Sequence, residues 1–445
     1  MAALLAATAR YVIVGLGHTG LSFARYLQRQ GLDFVVTDSA QEPPLLAAFT
    51  AEFPDIPLYL GGLNAHILTA ADYILLSPGV YLSRLPIPIT ADDPRLVGDI
   101  ELFALKAQAP IIAITGTNGK STVTHLVSLL LEQAGFTVQM AGNVGKPVLD
   151  CLVEAVPDYY VLELSSAQLE VTRSLRPEVA CILNISEDHM DCHPSFAIYQ
   201  QAKLRIFTNC QTAVINSDDP HILPPKCPQI ISFGSQGKYK LSQEDKGFYL
   251  LHEQQSLVAG RDLALKGKHN YYNVLAALAI VENLNLERAA CIATLVAFQG
   301  LPHRCQKVAE KASVVWVNDS KATNVGATIA AIEGLAPETQ GRLILLAGGL
   351  GKGADFRPLA PVVKRYVRSV ILWGQDAPQI AAALQTSGVP LLFAQNMEDM
   401  VAQAQQQAQS GDMVLLAPAC ASWDHFKNYQ ERGAVFAAAV ERALR

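Results

Sequence analysis

The stretch Ile-Ile-Ala-Ile-Thr-Gly-Thr-Asn-Gly-Lys-Ser-Thr, residues 111–122, decides the fold. Its apolar first four residues are typical of a buried strand, and the apolar spacing of residues 123–134 predicts a helix. A strand, a glycine-rich turn, Lys120-Ser121 and a helix form a phosphate cradle, in which backbone amides face the anion, Lys120 supplies a cation and Ser121 offers a hydroxyl to Mg²⁺. The longer form of this motif would have glycine at Ile114. The variant predicts an ATP or GTP site rather than a plain turn with a surface lysine.

Length, composition and charge exclude several classes of protein. At 445 residues, the chain is long enough for roughly two to four domains. Half of the residues are hydrophobic and 17% are charged, which predicts a folded rather than a disordered chain. The net charge of −6 argues against a nucleic-acid partner or an anionic membrane surface.

The cysteines and the apolar segments predict a soluble, cytoplasmic protein. All eight cysteines are scattered, without a Cys-x-x-Cys pair, which fits a reducing compartment. No apolar run approaches the roughly 18 residues that a membrane helix needs, so we expect no membrane insertion. Residues 1–10 are apolar but lack a basic region, and we interpret them as a local extension rather than a signal peptide.

A second glycine-rich turn lies near the start of the chain. A predicted strand at 11–14 leads into Gly15-Leu-Gly-His-Thr-Gly20, then a helix to about Gln30 and a strand that ends at Asp38. This is the Gly-x-Gly-x-x-Gly fingerprint in its strand–turn–helix context, with an acid where a ribose hydroxyl is read. The motif leaves NAD, FAD, a UDP-sugar and a purely structural turn open. Ser77-Pro78-Gly79 follows another predicted strand and is expected at the same crevice.

Strands that alternate with helices predict an α/β protein of three domains with mostly parallel sheets. Prolines between Leu85 and Pro110 indicate a first boundary near residue 97. We predict a Rossmann-like domain at 1–97, a central P-loop ATPase-type domain at 98–300 with a small antiparallel patch in 229–265, and a Rossmann-like domain at 301–445. The candidate strands of the last domain are 313–317, 343–347, 369–373 and 413–416.

Several polar residues are candidates for the chemistry of the cradle. Glu163 ends a predicted strand, where an acid reaches the Mg²⁺ of a bound triphosphate, although structural acids are common at such positions. His189 and His193 would share a helical face in a zinc site, but the segment follows a strand and no cysteine pair completes the ligand set. We therefore expect His189 at the phosphate site. Lys203 alone looks like a solvated helix lysine.

Other motifs are rich in polar residues at predicted loops. Arg304 offers a planar fork suited to a phosphate, and Asp319 an acceptor suited to a ribose or a cation. Each of these residues alone fits a salt-bridged surface loop equally well. The motifs are 268–270, 301–304, 318–324, 348–353 and 417–422.

Taken together, these residues resemble the bacterial Mur ligases, ATP-dependent amide-forming enzymes of peptidoglycan precursor synthesis. Residues 115–122 look like the cradle of the whole family. The segments that resemble the D-glutamate-adding branch in particular are 142–145, 163–170, 318–324 and 418–428. The likeness runs in order from Val12 to Gly433. The Asp-Asn-Pro-Arg motif expected in the diaminopimelate-adding branch is not found in the chain.

The resemblance implies three small-molecule substrates and a pair of Mg²⁺ ions as cofactor. ATP would be bound by Gly116, Thr117, Asn118, Gly119, Lys120, Ser121, Thr122, Asn270, Arg304 and Asp319. UDP-N-acetylmuramoyl-L-alanine would be bound by Gly15, Leu16, Gly17, Thr19, Asp38, Ser77, Gly79, Asn143, Ser165 and His189. D-Glutamate would be bound by Lys321, Thr323, Lys352, Ser422 and Tyr429.

Within these sites, the resemblance also implies the residues of the reaction itself. The catalytic residues would be Lys120, Glu163, His189 and Lys203, with Lys203 carbamylated by CO₂ into a carboxylate-like ligand. The metal ligands would be Ser121, Glu163, His189 and Lys203. We expect a monomer.

Three positions depart from the pattern that the family leads us to expect. Leu350 stands where an acid is expected, Tyr429 where phenylalanine is expected, and Ala40 where arginine is expected. These departures concern the amino-acid and uridine sites and leave the ATP chemistry intact. A role for Cys420 beyond packing stays open.

Three other functions are compatible with part of the sequence. A nicotinamide-dependent oxidoreductase would use the turn at Gly15 but leave Lys120 and Ser121 without a role. An enzyme of the folylpolyglutamate synthetase type shares the central ATPase but is not expected to have the N-terminal domain. A non-enzymatic nucleotide switch would bind ATP without substrate-dependent phosphate release.

Overall fold

The computed structural model describes residues 8–188, 190, 192–244 and 247–445 of the chain. These residues form two compact units: the first has the described residues within 1–185, 192–239 and 276–291, and the second has those within 186–191, 240–275 and 292–445. The predicted domain boundaries after residues 97 and 300 stay predictions. The expectation for the N-terminal extension falls largely on residues 1–7, outside the described residues. No helix among the described residues is both long and apolar enough to span a bilayer.

The N-terminal sheet of the first unit has five parallel strands in the order β3-β2-β1-β4-β5. The glycine fingerprint determines how tightly its first helix packs, because a Cβ on Gly20 would lie 2.0 Å from the carbonyl oxygen of Gly15. The elements are β1 (Tyr11–Val14), α1 (His18–Arg29), β2 (Phe34–Thr37), α2 (Leu46–Glu52), β3 (Leu58–Tyr59), α3 (Ala65–Ala70), β4 (Tyr73–Leu76), β5 (Leu96–Val97) and α4 (Asp99–Ala104).

A second sheet of the first unit contains six parallel strands in the order β11-β10-β9-β6-β8-β7. Every residue of β6 is buried, as expected for a parallel strand covered on both faces. The elements are β6 (Ile111–Thr115), α5 (Lys120–Gln133), β7 (Val138–Gly142), α6 (Val148–Cys151), β8 (Tyr159–Glu163), α7 (Ser166–Glu170), β9 (Val179–Ile182), α8 (Phe196–Leu204), β10 (Thr212–Asn216) and β11 (Gln229–Gly234).

Helix α4 connects the two sheets of the first unit. The ring of Phe103 on α4 packs edge-on against Tyr160 of β8, with ring centroids 4.9 Å apart. Both rings belong to one hydrophobic core that extends from the strands of the N-terminal sheet to β6, β8 and β9. The segment around the predicted boundary at residue 97 is therefore packed into the unit rather than a flexible linker.

The structure confirms an antiparallel patch within the predicted segment 229–265. Three elements have residues in both units: β12 (Tyr239–Glu244), α9 (Lys268–Val281) and α10 (Arg288–Ala297). In the second unit, β13 (Gly247–His252) and β14 (Gln255–Ala259) pair in antiparallel fashion, which confirms the patch. The first strand of the predicted segment, β11, pairs in parallel with β10 on one side.

The third sheet lies wholly in the second unit, in the order β15-β16-β20-β17-β18-β19. Only β15 is antiparallel to its neighbour among the described pairings of this sheet, and the sequence analysis did not predict it. The elements are β15 (Gln306–Lys311), β16 (Val314–Asn318), α11 (Val325–Leu335), β17 (Leu343–Ala347), α12 (Leu359–Tyr366), β18 (Val367–Leu372), α13 (Ala377–Leu384), β19 (Leu391–Phe393), α14 (Met397–Gln407), β20 (Met413–Leu416) and α15 (Tyr429–Leu444).

Both faces of this sheet are covered by helices. Leu343 and Leu345 of β17 belong to one hydrophobic core, while Ile344 and Leu346 belong to another, as the alternation of side chains along a strand requires. The carboxyl ends of β16, β17 and β20 lead into the segments 318–324, 348–353 and 417–422. In parallel sheets this edge is where ligands bind.

Candidate active site

The glycine-rich turn between β6 and α5 is shaped as a cradle. Gly116 and Gly119 have φ of 155° and 86°, values that favour glycine. Helix α5 begins at Lys120, three residues earlier than predicted, so Lys120 and Ser121 lie in its first turn. No side chain caps this end of the helix in the described structure, and its amides point toward an anion-binding position.

Asn184, two residues after the end of β9, holds the turn from the side. Its carbonyl oxygen accepts from the Thr117 amide at 2.8 Å, its Oδ1 accepts from the Asn118 amide at 2.8 Å, and its Nδ2 donates to the Asn118 carbonyl at 3.0 Å. Sequence reasoning missed this residue. A polar side chain shortly after a buried strand next to the cradle is the signal that could have found it.

Two lysine ammonium groups converge on the carbonyl oxygen of Gly116. Lys120 Nζ donates to it at 2.8 Å and to the Thr117 carbonyl at 2.9 Å, and Lys203 Nζ donates to it at 3.0 Å. Lys203 is only 2% exposed, with its ammonium 4.7 Å from the ring centroid of Tyr199. The expectation of a solvated helix lysine is therefore wrong, because α8 packs that face against the cradle. Two cations beside one turn favour a polyanionic ligand.

Glu163, the last residue of β8, has a carboxylate that is only half satisfied. Its Oε1 accepts from Asn143 Nδ2 at 2.7 Å, and its carbonyl oxygen accepts from the Asn143 amide at 2.8 Å. Glu163 is 2% exposed, and its Oε2 finds no hydrogen-bond donor among the described residues. A buried, unpaired carboxylate oxygen is unfavourable, and a divalent cation bound there would relieve it.

In the described part of the segment that follows β9, His193 packs beside the cradle. His193 Nε2 lies 3.0 Å from Ser166 Oγ, and its ring packs at 5.3 Å from that of Tyr199, whose hydroxyl is 2.9 Å from Thr117 Oγ1. His193 thus supports the cradle through Tyr199. His189 lies outside the described residues. Within the part of the chain that the structure describes, no three His, Cys, Asp or Glu side chains cluster as metal ligands.

The N-terminal glycine turn is braced by two of its predicted ligand-binding residues. Asp38 Oδ2 accepts from the Leu16 amide at 2.6 Å and its Oδ1 from the Ala40 amide at 2.8 Å, while Ser77 Oγ donates to the Gly15 carbonyl at 3.0 Å. The carboxyl ends of β1, β2 and β4 bring together Gly15, Leu16, Gly17, Thr19, Asp38, Ser77 and Gly79.

Two other residues predicted for the nucleotide sugar, Asn143 and Ser165, lie at the second sheet of the first unit. Asn143 is bound to Glu163 as described. Ser165 caps α7, where its Oγ accepts from the Gln168 amide at 3.2 Å and Gln168 in turn accepts from Ser165. The motif that begins at Glu163 therefore forms a rigid corner at the carboxyl end of β8.

The predicted ATP contacts of the second unit lie near the start of α9 and the end of β16. Asp319 Oδ1 accepts from the Cys305 amide at 3.3 Å. Burial raises the pKa of the Asp319 carboxyl to about 6, against the opposing effect of the Arg304 guanidinium. Asn270 Nδ2 donates to the Lys266 carbonyl at 2.8 Å, and Asn270 Oδ1 accepts from Asn273 at 3.3 Å.

Each of two lysines predicted to bind the amino acid lies over an aromatic ring. Lys321 Nζ is 4.1 Å from the ring centroid of Tyr429, and Lys352 Nζ is 4.6 Å from that of Trp423. Lys352 has a φ of 52°, an uncommon conformation for a residue other than glycine. The ring of Tyr429 faces Lys321, so the departure from phenylalanine preserves the contact. Sequence reasoning missed Trp423, although it is adjacent to the predicted Ser422.

Hydrogen bonds connect the loops that carry these residues. Leu350 exchanges two backbone hydrogen bonds with Ala421, at 3.0 and 2.9 Å, so the departure at Leu350 leaves the loop pairing unchanged. The buried Arg432 donates to the Ser320 hydroxyl and carbonyl and to the Cys420 carbonyl at 2.8 to 3.1 Å. Cys420 is buried, and burial raises the pKa of its thiol to about 12.

Comparison with known proteins identifies the family. Models of the Mur ligase MurD-like N-terminal domain, the Mur ligase middle domain and the Mur ligase glutamate ligase domain match residues 9–93, 114–281 and 303–420. A UDP-N-acetylmuramoylalanine--D-glutamate ligase of Nitrosococcus oceani is 48% identical over 97% of this chain and 96% of its own length. The chain belongs to the Mur ligase family. The ligase of that name from Pseudomonas aeruginosa is 46% identical, over 97% of each chain.

Solved structures agree with this Mur ligase fold. MurC of Thermotoga maritima has a TM-score of 0.60 at 17% identity, covering 98% of this chain and all of its own. MurF of the same organism, in complex with ADP, has a TM-score of 0.62 at 16% identity over 92% and 96% of the two chains. A folylpolyglutamate synthase of Mycobacterium tuberculosis covers only 76% of this chain. The match of the N-terminal domain therefore favours a Mur ligase over the folylpolyglutamate synthetase type.

Proposed function

We propose that this Mur ligase joins D-glutamate to the alanine carboxylate of UDP-N-acetylmuramoyl-L-alanine, with conversion of ATP to ADP and phosphate, in peptidoglycan precursor synthesis. The observation that carries the proposal is the cradle at Gly116, with two lysine ammonium groups and the half-satisfied Glu163 carboxylate, in a chain 48% identical to a ligase of that name. Action as a monomer in the cytoplasm is part of the proposal.

The chemistry requires that the carboxylate be activated first. A carboxylate is a poor electrophile, so an oxygen of the alanine carboxylate attacks the γ-phosphorus of ATP, and the bond to the β–γ bridging oxygen breaks to release ADP. Two anions approach each other in this step, and catalysis depends on neutralising their charge. Lys120 and the amides at the start of α5 supply positive charge where the γ-phosphate would lie.

The residues near the cradle fit Mg²⁺. Glu163 Oε2 is buried and without a donor among the described residues, and the buried Ser121 lies in the first turn of α5. Glu163 and Ser121 would hold the ion, with His189 and a carbamylated Lys203 as the further ligands of a second ion. Bound Mg²⁺ would neutralise phosphate charge during the transfer. A carbamate on Lys203 would keep one N–H, which could still donate to the Gly116 carbonyl.

Amide formation follows from the acyl phosphate. The neutral amine of D-glutamate attacks the acyl carbon, a tetrahedral intermediate forms, and the C–O bond to phosphate breaks while the amine loses its proton. Lys321 and Lys352 would bind the two carboxylates of the amino acid, together with Thr323, Ser422 and the ring edge of Tyr429. The glycine turn at Gly15 would hold the uridine diphosphate, since backbone amides at a helix start suit a diphosphate.

The test is phosphate release from ATP and Mg²⁺ with UDP-N-acetylmuramoyl-L-alanine, comparing D-glutamate, L-glutamate and no amino acid. We expect release only when both the nucleotide sugar and D-glutamate are present. Release that needs neither acceptor would identify an ATPase or a nucleotide switch instead. Release with a folate as acceptor would favour the folylpolyglutamate synthetase type.

Replacement of Trp423 by leucine should raise the KM for D-glutamate about 2- to 5-fold, since an exposed cation–π contact contributes about 0.5–1 kcal/mol. Trp423 is 65% exposed, so its loss should not unfold the protein, and kcat should stay near the wild-type value. Tyr429→Phe is the matched control, because it keeps a ring under Lys321. An unchanged KM in Trp423→Leu, or an equal rise in the KM for ATP, would contradict the proposed role of this contact.

A further inference from the structure

Asp99 is a buried carboxylate outside the residues that the proposed function uses. It is the first residue of α4 and is 3% exposed. Its Oδ2 accepts from Gln168 Nε2 at 3.0 Å, and its Oδ1 has no hydrogen-bond partner among the described residues. Burial raises the pKa of the Asp99 carboxyl to about 6, and its Oδ2 is the acceptor in the hydrogen bond with Gln168.

This acceptor determines the orientation of the Gln168 amide. A carboxylate can only accept, so the NH₂ end of Gln168 faces Asp99 and the carbonyl end faces Ser165. Gln168 Oε1 accepts there from the Ser165 amide at 3.0 Å and from Ser165 Oγ at 3.2 Å. An amide turned the other way would place two donors against the Ser165 amide. Asp99 thereby selects the amide orientation that completes the capping box of α7.

The capped end of α7 is the corner that presents the proposed magnesium ligand. Ser165 is two residues after Glu163, and the intervening Leu164 is tied to β6: its amide donates to the Ile114 carbonyl at 2.9 Å, and its carbonyl accepts from Thr115 Oγ1 at 2.7 Å. These two bonds of Leu164 and the capping box at Ser165 together fix the backbone that follows Glu163.

Asp99 lies at a small cavity beside the loop that follows β4. Asp99 and Gln168 line a cavity of about 10 Å³ together with Pro78, Tyr81 and Glu170, which is room for about one water molecule. Pro78 belongs to the loop after β4 that is predicted to contact the nucleotide sugar. The pair thus lies between that loop and α7, within one unit.

We propose that Asp99 is a positioning residue, whose carboxylate orients the Gln168 amide and thereby holds the Ser165 end of α7 and Glu163 in place for the nucleotide-sugar carboxylate. This inference rests on the proposed ligase function. It gives the junction between the two sheets of the first unit a role in the reaction, although neither Asp99 nor Gln168 is a proposed site residue.

The test compares two substitutions at Asp99 with one at Glu101. Asp99→Leu removes the acceptor and should lower kcat/KM for the nucleotide sugar about 10- to 100-fold, as substitutions of residues that orient metal ligands do, with the KM values for ATP and D-glutamate within about twofold of wild type. Asp99→Asn can present its oxygen to Gln168 Nε2, so it should retain activity within about threefold.

Glu101 supplies the matched control. It is a buried carboxylate on the same helix, but it accepts from the Arg173 and Ser174 amides and from Ser174 Oγ, away from the capping box. Glu101→Gln should leave the KM for the nucleotide sugar unchanged relative to the KM values for ATP and D-glutamate. Equal losses in all kinetic parameters for Asp99→Leu and Glu101→Gln would show a merely structural junction and overturn the proposal. Wild-type kinetics in Asp99→Leu would do the same.

A readout that does not depend on activity separates this inference from the proposed function. Amide hydrogen exchange at 165–168 should be faster in Asp99→Leu than in the wild type and unchanged in Asp99→Asn and Glu101→Gln. Unchanged exchange in Asp99→Leu would overturn the positioning role even if the enzyme is a D-glutamate ligase. Faster exchange in Asp99→Leu, together with a wild-type protein that lacks ligase activity, would overturn the proposed function and leave only the structural effect of Asp99 on the capping box.

The thermal midpoint gives a further check on the buried charge. Because burial raises the pKa of Asp99 in the folded state, ionisation of Asp99 destabilises the folded protein. This destabilisation is absent below about pH 4 and fully present above about pH 6. Asp99→Asn should therefore melt at a higher temperature than wild type at pH 7 and close to wild type at pH 4. Tyr81 and Glu170 face the same cavity and are unchanged in this comparison. An equal difference at both pH values would contradict a buried charged Asp99.

Discussion

Replacement of Lys120 by methionine is expected to lower kcat about 10³-fold or more, the range found when a cation that faces a transferring phosphoryl group is removed. The Lys120 ammonium holds the Gly116 and Thr117 carbonyls in the unliganded turn and would neutralise charge on the γ-phosphate. The Gly116 carbonyl keeps Lys203 as a donor in the variant, so the turn should survive. Steady-state phosphate release with both substrates saturating measures the effect.

Lys146→Met is the control for this loss of a lysine. Lys146 is in the same unit, and its ammonium pairs with the carboxylate of Glu154 at 2.7 Å on the surface. An exposed pair of this kind contributes about 0–1 kcal/mol, so activity should be unchanged. A Lys120→Met enzyme with at least a tenth of the wild-type kcat would contradict the role assigned to the cradle.

Replacement of Glu163 by glutamine is expected to lower kcat about 10²- to 10³-fold and to weaken the dependence of activity on Mg²⁺. The change is isosteric, and the glutamine oxygen can still accept from Asn143 Nδ2, which donates to Glu163 Oε1 at 2.7 Å in the wild type. What is lost is the negative charge at Oε2, the oxygen without a donor among the described residues. Titration of activity with Mg²⁺ at saturating substrates measures the effect.

Thermal unfolding checks the same claim without turnover. A ligand that binds only the folded state stabilises it, so Mg²⁺ with a non-hydrolysable ATP analogue should raise the midpoint of the wild type more than that of Glu163→Gln. Glu178→Gln is the control, since Glu178 lies just before β9 at the opposite edge of the sheet. If Mg²⁺ with the analogue stabilised Glu163→Gln and the wild type equally, the proposal that Glu163 is a metal ligand would be contradicted.

The sequence was most informative where the chemistry is local. Residues 111–122 predict a strand, a turn and a helix because the glycines, the lysine and the hydroxyl act within one short stretch, and the structure has these elements. The fingerprint at Gly15 was equally informative about the fold, since its third glycine is needed for a contact between neighbours in the chain. The alternation of helices and strands also predicted mostly parallel sheets, which the structure has, but it did not predict the antiparallel strand β15.

Local sequence patterns could not predict the contacts between distant parts of the chain. Nothing in the residues around Lys203 shows that α8 would bury its ammonium against Gly116, 87 positions away. Asn184 and Arg432 act through hydrogen bonds to other loops, and Trp423 through a ring that meets Lys352 only in the folded state. Only the resemblance to the Mur ligases pointed to Lys203, because a family motif marks the position of a functional residue without describing its contacts.

The most direct test of the proposed ligase reaction follows the oxygen atoms of the nucleotide sugar. UDP-N-acetylmuramoyl-L-alanine labelled with oxygen-18 in both carboxylate oxygens is incubated with ATP, Mg²⁺ and D-glutamate, and the phosphate and the amide product are analysed by mass spectrometry. If the carboxylate is activated as an acyl phosphate, each phosphate released carries one labelled oxygen and each amide retains the other. Unlabelled phosphate would mean that water attacks ATP directly, and the chain would then be an ATPase whose acceptor is still to be found.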